Sequence, residues 1–314
     1  MEEVKFSHVS VLLPECIENL DIKPNGIYVD GTTGGGGHSL EIVKRLTDGG
    51  RLICIDRDTD ALAAAAKRLE QYADRITFVH SNYSELDAVL RDLEIDTVDG
   101  VLLDLGVSSY QLDTAERGFS YMQDARLDMR MDQESALSAY EVINEYSEEE
   151  LRRIIYEYGE EKFAKNIAAN IVKARAEAPI ETTLQLSELI KSSMPKAARE
   201  GGHHPAKRTF QAIRIAVNDE LGSVEKAMEA AIPLLNPGGR LAVITFHSLE
   251  DRIVKLAMAE AAKGCTCPPQ FPVCVCGKKP IVKLISRKPI VATPEELEAN
   301  PRSRSAKLRV CEKL

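Results

Sequence analysis

The sequence lacks the features that mark membrane-spanning, secreted and generally nucleic-acid-coated proteins. No apolar run in its 314 residues approaches the roughly 18 needed to cross a bilayer. Its first residues, Met1-Glu2-Glu3-Val4-Lys5, are acidic where a targeting leader is basic. The cytoplasm is therefore the expected compartment, with no membrane partner. A disulfide framework is also missing: of seven cysteines, four crowd between Cys265 and Cys276, which fits reducing surroundings. A formal charge of −9 excludes a uniformly basic binder of nucleic acid. There is no internal repeat and no low-complexity tract.

What is present is a globular composition, 44% hydrophobic, on a chain long enough for two domains or for one domain with a large insertion. The charge is unevenly placed. From Lys263 to Leu314 eleven Lys/Arg face four Glu, a local +7, so the rest of the chain carries −16 of the total −9. A basic end on an acidic body can hold a phosphate backbone, and it can equally be a solvated terminus.

Short apolar runs at Ile27-Tyr28-Val29, Arg51 to Ile55, Ile76 to Val79 and Val98 to Leu103 alternate with helix-length stretches, among them an alanine-rich helix from Thr59 to Tyr72. This βαβα order predicts a parallel sheet with both faces covered. The rhythm then stops for over a hundred residues. Ser147-Glu148-Glu149-Glu150 has capping-box spacing and opens a helical pattern running to about Ala178, where Pro179 ends it, and Thr182 with Gln185 repeats the device. A long helical stretch from about Thr209 leads to the turn Asn236-Pro237-Gly238-Gly239 and a strand from Gly239 to Phe246. The last strands are expected at Ile281 to Ile285 and Lys307 to Val310. The predicted architecture is α/β: a mostly parallel, doubly wound, Rossmann-like domain of residues 1–111 and 206–314, interrupted by a helical domain of residues 112–205.

The first strand runs into Asp30-Gly31-Thr32-Thr33-Gly34-Gly35-Gly36-Gly37-His38, a turn whose glycines let the backbone approach a ligand. The second strand ends in Asp56, twenty-six residues beyond Asp30, where a carboxylate can accept both ribose hydroxyls. Both elements point to an adenosine-containing ligand. A dinucleotide fingerprint requires a third glycine where this chain has Ser39, which argues against NAD. Asp30, Gly34 and Gly36 match the acid and alternate glycines of the first motif of class I methyltransferases, which the turn resembles, and Thr32 departs from it. At the ends of the third and fourth strands, Tyr83 is either an adenine-stacking ring or a core aromatic, and Asp104 either faces the cleft or caps the next helix.

Longer motifs are more specific. Asp104-Leu105-Gly106-Val107-Ser108-Ser109 with Gln111-Leu112-Asp113, Ala115 to Ser120, Leu127 to Asp132, Arg208 to Ala212, Phe246 to Lys255 and Asn300 to Ser305 occur in order along nearly the whole chain. Together they resemble the RsmH/MraW family of 16S ribosomal RNA cytosine-N4 methyltransferases. The resemblance implies a class I methyltransferase domain with a helical substrate-recognition insertion, S-adenosylmethionine as donor, and a cytidine of the small-subunit decoding centre as acceptor. Carried over position by position, it implies cofactor contacts at Gly36, Gly37, His38, Asp56, Tyr83, Asp104 and Gln111.

Cytosine N4 is a poor nucleophile because its lone pair is delocalised into the ring, so transfer needs a group that draws on the N4 hydrogens. Asp104, or Ser108 and Ser109 beside it, is the expected acceptor, and the turn Phe246-His247-Ser248 is expected to line the base pocket. His247 has a structural alternative, and the Asp128-Arg130-Asp132 cluster can be a solvated ion-pair surface. Lys196, Arg199, Lys207, Arg208 and the segment from Arg302 to Arg309 are expected on RNA phosphates, the partner being 16S rRNA within the small ribosomal subunit. Oligomeric state is unmarked, leaving a homodimer open. Two rival functions remain: methylation of another acceptor such as transfer RNA or protein, and a non-catalytic role in ribosome assembly. The cysteines Cys265-Thr266-Cys267 and Cys274-Val275-Cys276 offer four thiolates without the usual C-x-x-C spacing, which permits a structural zinc without demanding it and leaves free thiols or an oxidised pair open, so no metal is assigned to the catalytic site.

Overall fold

The computed structural model describes residues 10–47, 49–199, 202, 204–268, 270, 271, 273 and 275–314. The chain divides into two compact units, one reaching to Gly106 and resuming at Leu221, the other Val107–Glu220. The boundaries differ from those expected at 111/112 and 205/206. Phe210, Ile213 and Val217 sit in the helical core, so the helix that carries them belongs to the second unit.

In the first unit α1 (Leu13–Leu20) precedes β1 (Ile27–Asp30), α2 (Gly37–Val43), β2 (Arg51–Asp56), α3 (Thr59–Arg68), β3 (Ile76–His80), α4 (Leu86–Asp92) and β4 (Val98–Asp104). The second unit carries α5 (Ser109–Asp113), α6 (Ala139–Glu145), α7 (Glu148–Glu157), α8 (Ala164–Arg175), α9 (Thr183–Ser192), α10 (Lys196–Arg199) and α11 (Lys207–Asn218). From α12 (Glu220–Leu234) the chain returns to the sheet with β5 (Leu235–Thr245), α13 (Ser248–Ala261), β6 (Val282–Leu284), α14 (Pro294–Ala299) and β7 (Lys307–Lys313).

The sheet order is β3-β2-β1-β4-β5-β7-β6. Strands β1 to β5 pair in parallel, and β7 runs antiparallel to both of its neighbours. This is the doubly wound, Rossmann-like sheet expected from the sequence, with the order reversing between β1 and β4. Successive side chains point to opposite faces. Ile53, Ile55, Val101 and Leu103 enter one core with residues of α4, α12 and α13, while Leu52, Cys54 and Leu102 enter the other with residues of α1 and α2. Both faces are therefore apolar, as a covered parallel sheet requires.

Three local expectations change. The helical pattern from Ser147 breaks into α7 and α8 at Gly159-Glu160. Glu160 takes φ +49°, and a Cβ on Gly159 would meet Ile155 O at 2.6 Å and Arg208 O at 2.7 Å, so α11 packs where a continuous helix would run. The stretch from Thr209 breaks at Asp219, φ +45°, where Arg214 grips Glu220 through two 2.8 Å hydrogen bonds. The turn at Asn236 to Gly239 is a bulge within β5, whose pairing jumps from Val98 opposite Leu235 to Gly100 opposite Arg240. The capping boxes at Ser147 and Thr182 form as expected.

Candidate active site

In an open α/β sheet, ligands bind beyond the carboxyl ends of the strands where the order reverses, which here is the edge formed by Asp30 of β1 and Asp104 of β4. Asp30 is 1% exposed. Its carboxylate accepts the Thr32 amide at 3.2 Å and the Ser39 hydroxyl at 2.6 Å, which ties the glycine turn to α2. Burial raises its pKa to about 6 against the lowering effect of those two hydrogen bonds, and Asp56 adds repulsion. Thr33 ties the turn to β2, donating from its amide and its hydroxyl to Ile55 O at 3.1 and 3.0 Å. Thr32, the departure from the methyltransferase motif, accepts the Asp104 amide on its hydroxyl at 2.6 Å and so links the turn to β4.

The glycines serve two purposes. Gly34 and Gly36 adopt φ +50° and +74°, backbone that L side chains rarely take. Gly31 and Gly37 are needed for space: an added Cβ would lie 2.5 Å from Leu103 Cδ2 and 1.9 Å from Ser10 Oγ. At Gly34 an added Cβ meets only Thr32 O, at 3.9 Å, so the turn leaves open space beside the Asp56 carboxylate.

Asp56 closes β2. Its two oxygens accept the Gly34 amide at 2.8 Å and the Asp58 amide at 2.9 Å, and burial shifts its pKa upward against those bonds. Two amides fix the carboxylate in place while leaving each oxygen a second lone pair. Tyr83, at the start of a short 3-10 turn after β3, is 9% exposed and belongs to the sheet core, with the Arg57 guanidinium 5.7 Å from its ring centre.

Asp104 is the unusual group. Its Oδ1 is buried without a hydrogen-bond partner, and Oδ2 lies 3.8 Å from His38 Nδ1. Burial, then repulsion from Asp30 and Glu250, raises its pKa to about 8. His38 is 5% exposed, and its Nε2 lies 3.1 Å from Val11 O. Burial lowers its pKa to about 4, so near neutral pH the ring is uncharged, with Nε2–H donating to the carbonyl and the Nδ1 lone pair facing Asp104. His38 therefore offers Asp104 neither a hydrogen bond nor a positive charge.

His247 caps α13: its Nδ1 accepts the Glu250 amide at 3.4 Å, and Glu250 Oε2 returns to the Phe246 and His247 amides at 2.9 and 3.3 Å. Glu250 Oε1 lies 3.1 Å from His247 Nε2. Nδ1 is thus turned toward the helix start, while Nε2 is buried at that distance from Glu250 Oε1 without a hydrogen-bond partner.

Gln111, Ser108 and Ser109 belong to the second unit. Ser108 caps α5, its hydroxyl accepting the Gln111 amide at 3.2 Å while Gln111 Oε1 accepts the Ser108 amide at 3.0 Å, and Ser109 is the first helical residue. The Asp128-Arg130 pair departs from the solvated reading. Arg130 holds Asp128 through two contacts of 3.0 and 2.7 Å and also donates to Gln133 O and Ser135 O, which staples a partly buried loop.

Among the expected phosphate contacts, Lys196, Arg199, Lys207, Arg208, Arg302 and Arg304 are exposed. Arg309 and Lys307 are instead drawn onto Asp251, at 2.7 and 3.2 Å, with the Arg309 side chain only 12% exposed. That correction follows from strand register, which points alternate β7 side chains at α13. Among the described residues no helix is long and apolar enough to cross a membrane.

The sequence reading missed Thr32, Ser39 and Glu250 as supports of the site. Ser39 stood in view as the absent third glycine, and Glu250 lies three residues beyond His247, the same spacing that marks the Ser147 capping box.

The profile of the MraW methylase family matches residues 5–314. The chain is similar to the ribosomal RNA small subunit methyltransferase H of Lachnospira eligens, at 60% identity over 311 residues, covering 99% of each chain. It is also similar to the protein of the same name from Brevibacillus brevis, at 60% identity over 314 residues and all of both chains. The Clostridium botulinum (strain Kyoto) counterpart is 59% identical over 312 residues, covering 99% of this chain and 100% of that one.

Proposed function

We propose that this chain, which belongs to the MraW methylase family, transfers a methyl group from S-adenosylmethionine to the exocyclic N4 of a cytidine in the decoding centre of 16S ribosomal RNA, on the small ribosomal subunit. The observation that carries the reading is Asp104, a carboxyl with one oxygen buried and unpartnered at the strand-order reversal, among the like charges of Asp30 and Glu250. Such a group is costly to the fold and is explained by a ligand that uses it.

The residues fit the cofactor. Gly34, Gly36 and Gly37 shape a backbone turn with open space beside it, Asp56 would accept ribose hydroxyls, and Tyr83 would bound the adenine. When bound, S-adenosylmethionine supplies an electrophilic methyl on a positively charged sulfur, a charge that would favour the ionised forms of Asp30 and Asp104, whose carboxyls burial holds toward the neutral form without it. Asp104 then holds the amino hydrogens of cytosine N4 and accepts the proton released as N4 is methylated. Ser108 is assigned no step, since its hydroxyl caps α5. The helical unit is assigned RNA recognition, with Lys196, Arg199, Lys207 and Arg208 on phosphates.

Labelled S-adenosylmethionine incubated separately with unmethylated small subunits, naked 16S RNA and transfer RNA tests this, followed by nucleoside mass spectrometry. Label in N4-methylcytidine from the small subunit alone is the expected result. Label in another nucleoside or in transfer RNA overturns the acceptor, and no transfer to any substrate favours a non-catalytic assembly role.

A further inference from the structure

Between Ala261, where α13 ends, and Val282, where β6 begins, the described residues form no regular helix or strand. They bury little: Phe271, Val273, Val275 and Ile281 are 51%, 70%, 72% and 49% exposed. A segment of that length with its apolar side chains in water has no core of its own to order it, and small loops in this position depend on a cross-link or a metal.

Three cysteines of this segment converge. The sulfurs of Cys265, Cys267 and Cys276 all lie within 4.8 Å of one another, and the Cys265 and Cys276 sulfurs are 3.7 Å apart. A disulfide needs about 2.05 Å. Thiolates around a tetrahedral zinc ion, with bonds of about 2.3 Å, stand roughly 3.7 to 3.8 Å apart along each edge. The Cys265 to Cys276 distance is that of a tetrahedron's edge. Backbone amides are also turned toward the sulfurs: Thr266 N donates to Cys276 Sγ at 3.4 Å, Cys267 N to Cys265 Sγ at 3.4 Å and Val275 N to Cys267 Sγ at 3.3 Å. Each of the three sulfurs thus accepts an amide, and hydrogen bonds donated to a sulfur favour its thiolate, the form that binds metal.

We propose that Cys265, Cys267 and Cys276 hold one zinc ion that orders the segment between α13 and β6. Three soft thiolates in a compact, closing geometry select zinc over the oxygen-seeking divalent ions. The paired C-x-C spacing works in place of C-x-x-C because the segment folds back on itself and brings sulfurs eleven residues apart, Cys265 and Cys276, into one edge. The fourth cysteine, Cys274, lies outside the described residues, and the proposal rests on the other three. The cluster stands apart in sequence from the glycine turn and from Asp104, so the ion would order the segment and take no part in transfer.

The test is metal analysis of the full-length protein purified without chelator, beside the double variant Cys265→Ser/Cys276→Ser and the buried-thiol control Cys16→Ser. Expected are about one zinc per chain in the parent and in the control, and a drop of tenfold or more in the double variant, whose S-adenosylmethionine affinity stays within twofold of the parent. Cobalt(II) exchanged into the parent should give a thiolate-to-metal charge-transfer band with tetrahedral d–d absorption, and chelation should accelerate protease cleavage between residues 263 and 281. Parent protein that neither carries zinc nor takes up cobalt with that spectrum overturns the site. So does a double variant that retains its zinc, or a Cys265 to Cys276 disulfide in freshly purified protein. These readouts need no methyl transfer, so they stand or fall independently of the proposed acceptor.

Discussion

In the helical unit, Ser108, Ser138, Ser147 and Thr182 each close a reciprocal capping box, so polar side chains there answer the helix ends on which they sit. At the sheet edge of the other unit, Asp30, Asp56, Asp104 and Glu250 are gathered instead, and burial raises the pKa of the three aspartates. The helical unit also leaves a polar atom buried without a hydrogen-bond partner, Thr209 Oγ1, but that is a neutral hydroxyl. In the sheet unit the orphaned atom Asp104 Oδ1 belongs to an ionisable carboxyl set near Asp30 and Glu250. A buried carboxyl among like charges costs more than an orphaned hydroxyl, and a ligand that uses it would supply the missing interaction, which is the ground for proposing the chemistry at the sheet edge.

The largest effect expected from breaking this contrast is at Asp104. Asp104→Asn should lower methyl transfer by about 10²–10⁴-fold while the melting temperature of the cofactor-free protein at pH 8 rises, because the charge that burial disfavours is gone. Full activity in this variant, measured by label transfer to small subunits, removes Asp104 from the mechanism. Asp56→Ala should weaken cofactor binding by about 1.5–3 kcal/mol, the worth of hydrogen bonds to a charged group, and calorimetric titration reads it directly.

In the helical unit, Ile167, fully buried, sharpens the other side of the comparison. Ile167→Ala should cost about 2–5 kcal/mol of unfolding free energy in denaturant and leave S-adenosylmethionine affinity unchanged. Equal loss of both would show that the units do not divide stability from cofactor binding.

The pH response follows from the sign at Asp104. Its folded pKa of about 8 lies above the ordinary carboxylate value, so the cofactor-free protein loses this group's contribution to stability as pH rises from the ordinary carboxylate range through about 8. A sulfonium favours the ionised carboxylate, so its binding should tighten by up to about tenfold per pH unit below that value. S-adenosylhomocysteine, whose sulfur is uncharged, should show a flatter profile, and equal pH slopes for the two ligands would refute the electrostatic role. The smallest effect is expected at the cap: Ser147→Ala should cost about 1 kcal/mol of stability with no change in transfer.

Much of this was legible in the residues themselves. Alternation of apolar runs and helices specified a covered parallel sheet, because period and burial are local consequences of side-chain chemistry. Asp30, the glycine turn and Asp56 marked the edge proposed for the cofactor, since left-handed backbone and close approach demand glycine wherever they occur. The capping boxes at Ser147 and Thr182 were equally local. Tertiary structure decided the rest. It broke one helix at Gly159 because α11 packs there, and it turned His247 Nδ1 to a helix start. It took Arg309 from the RNA-facing set through its register against Asp251, turned Ser39 from a missing glycine into the partner of Asp30, and left Asp104 Oδ1 buried and unanswered. Each of these depends on which distant residue arrives alongside, and on the water that its arrival excludes, which no spacing along the chain encodes.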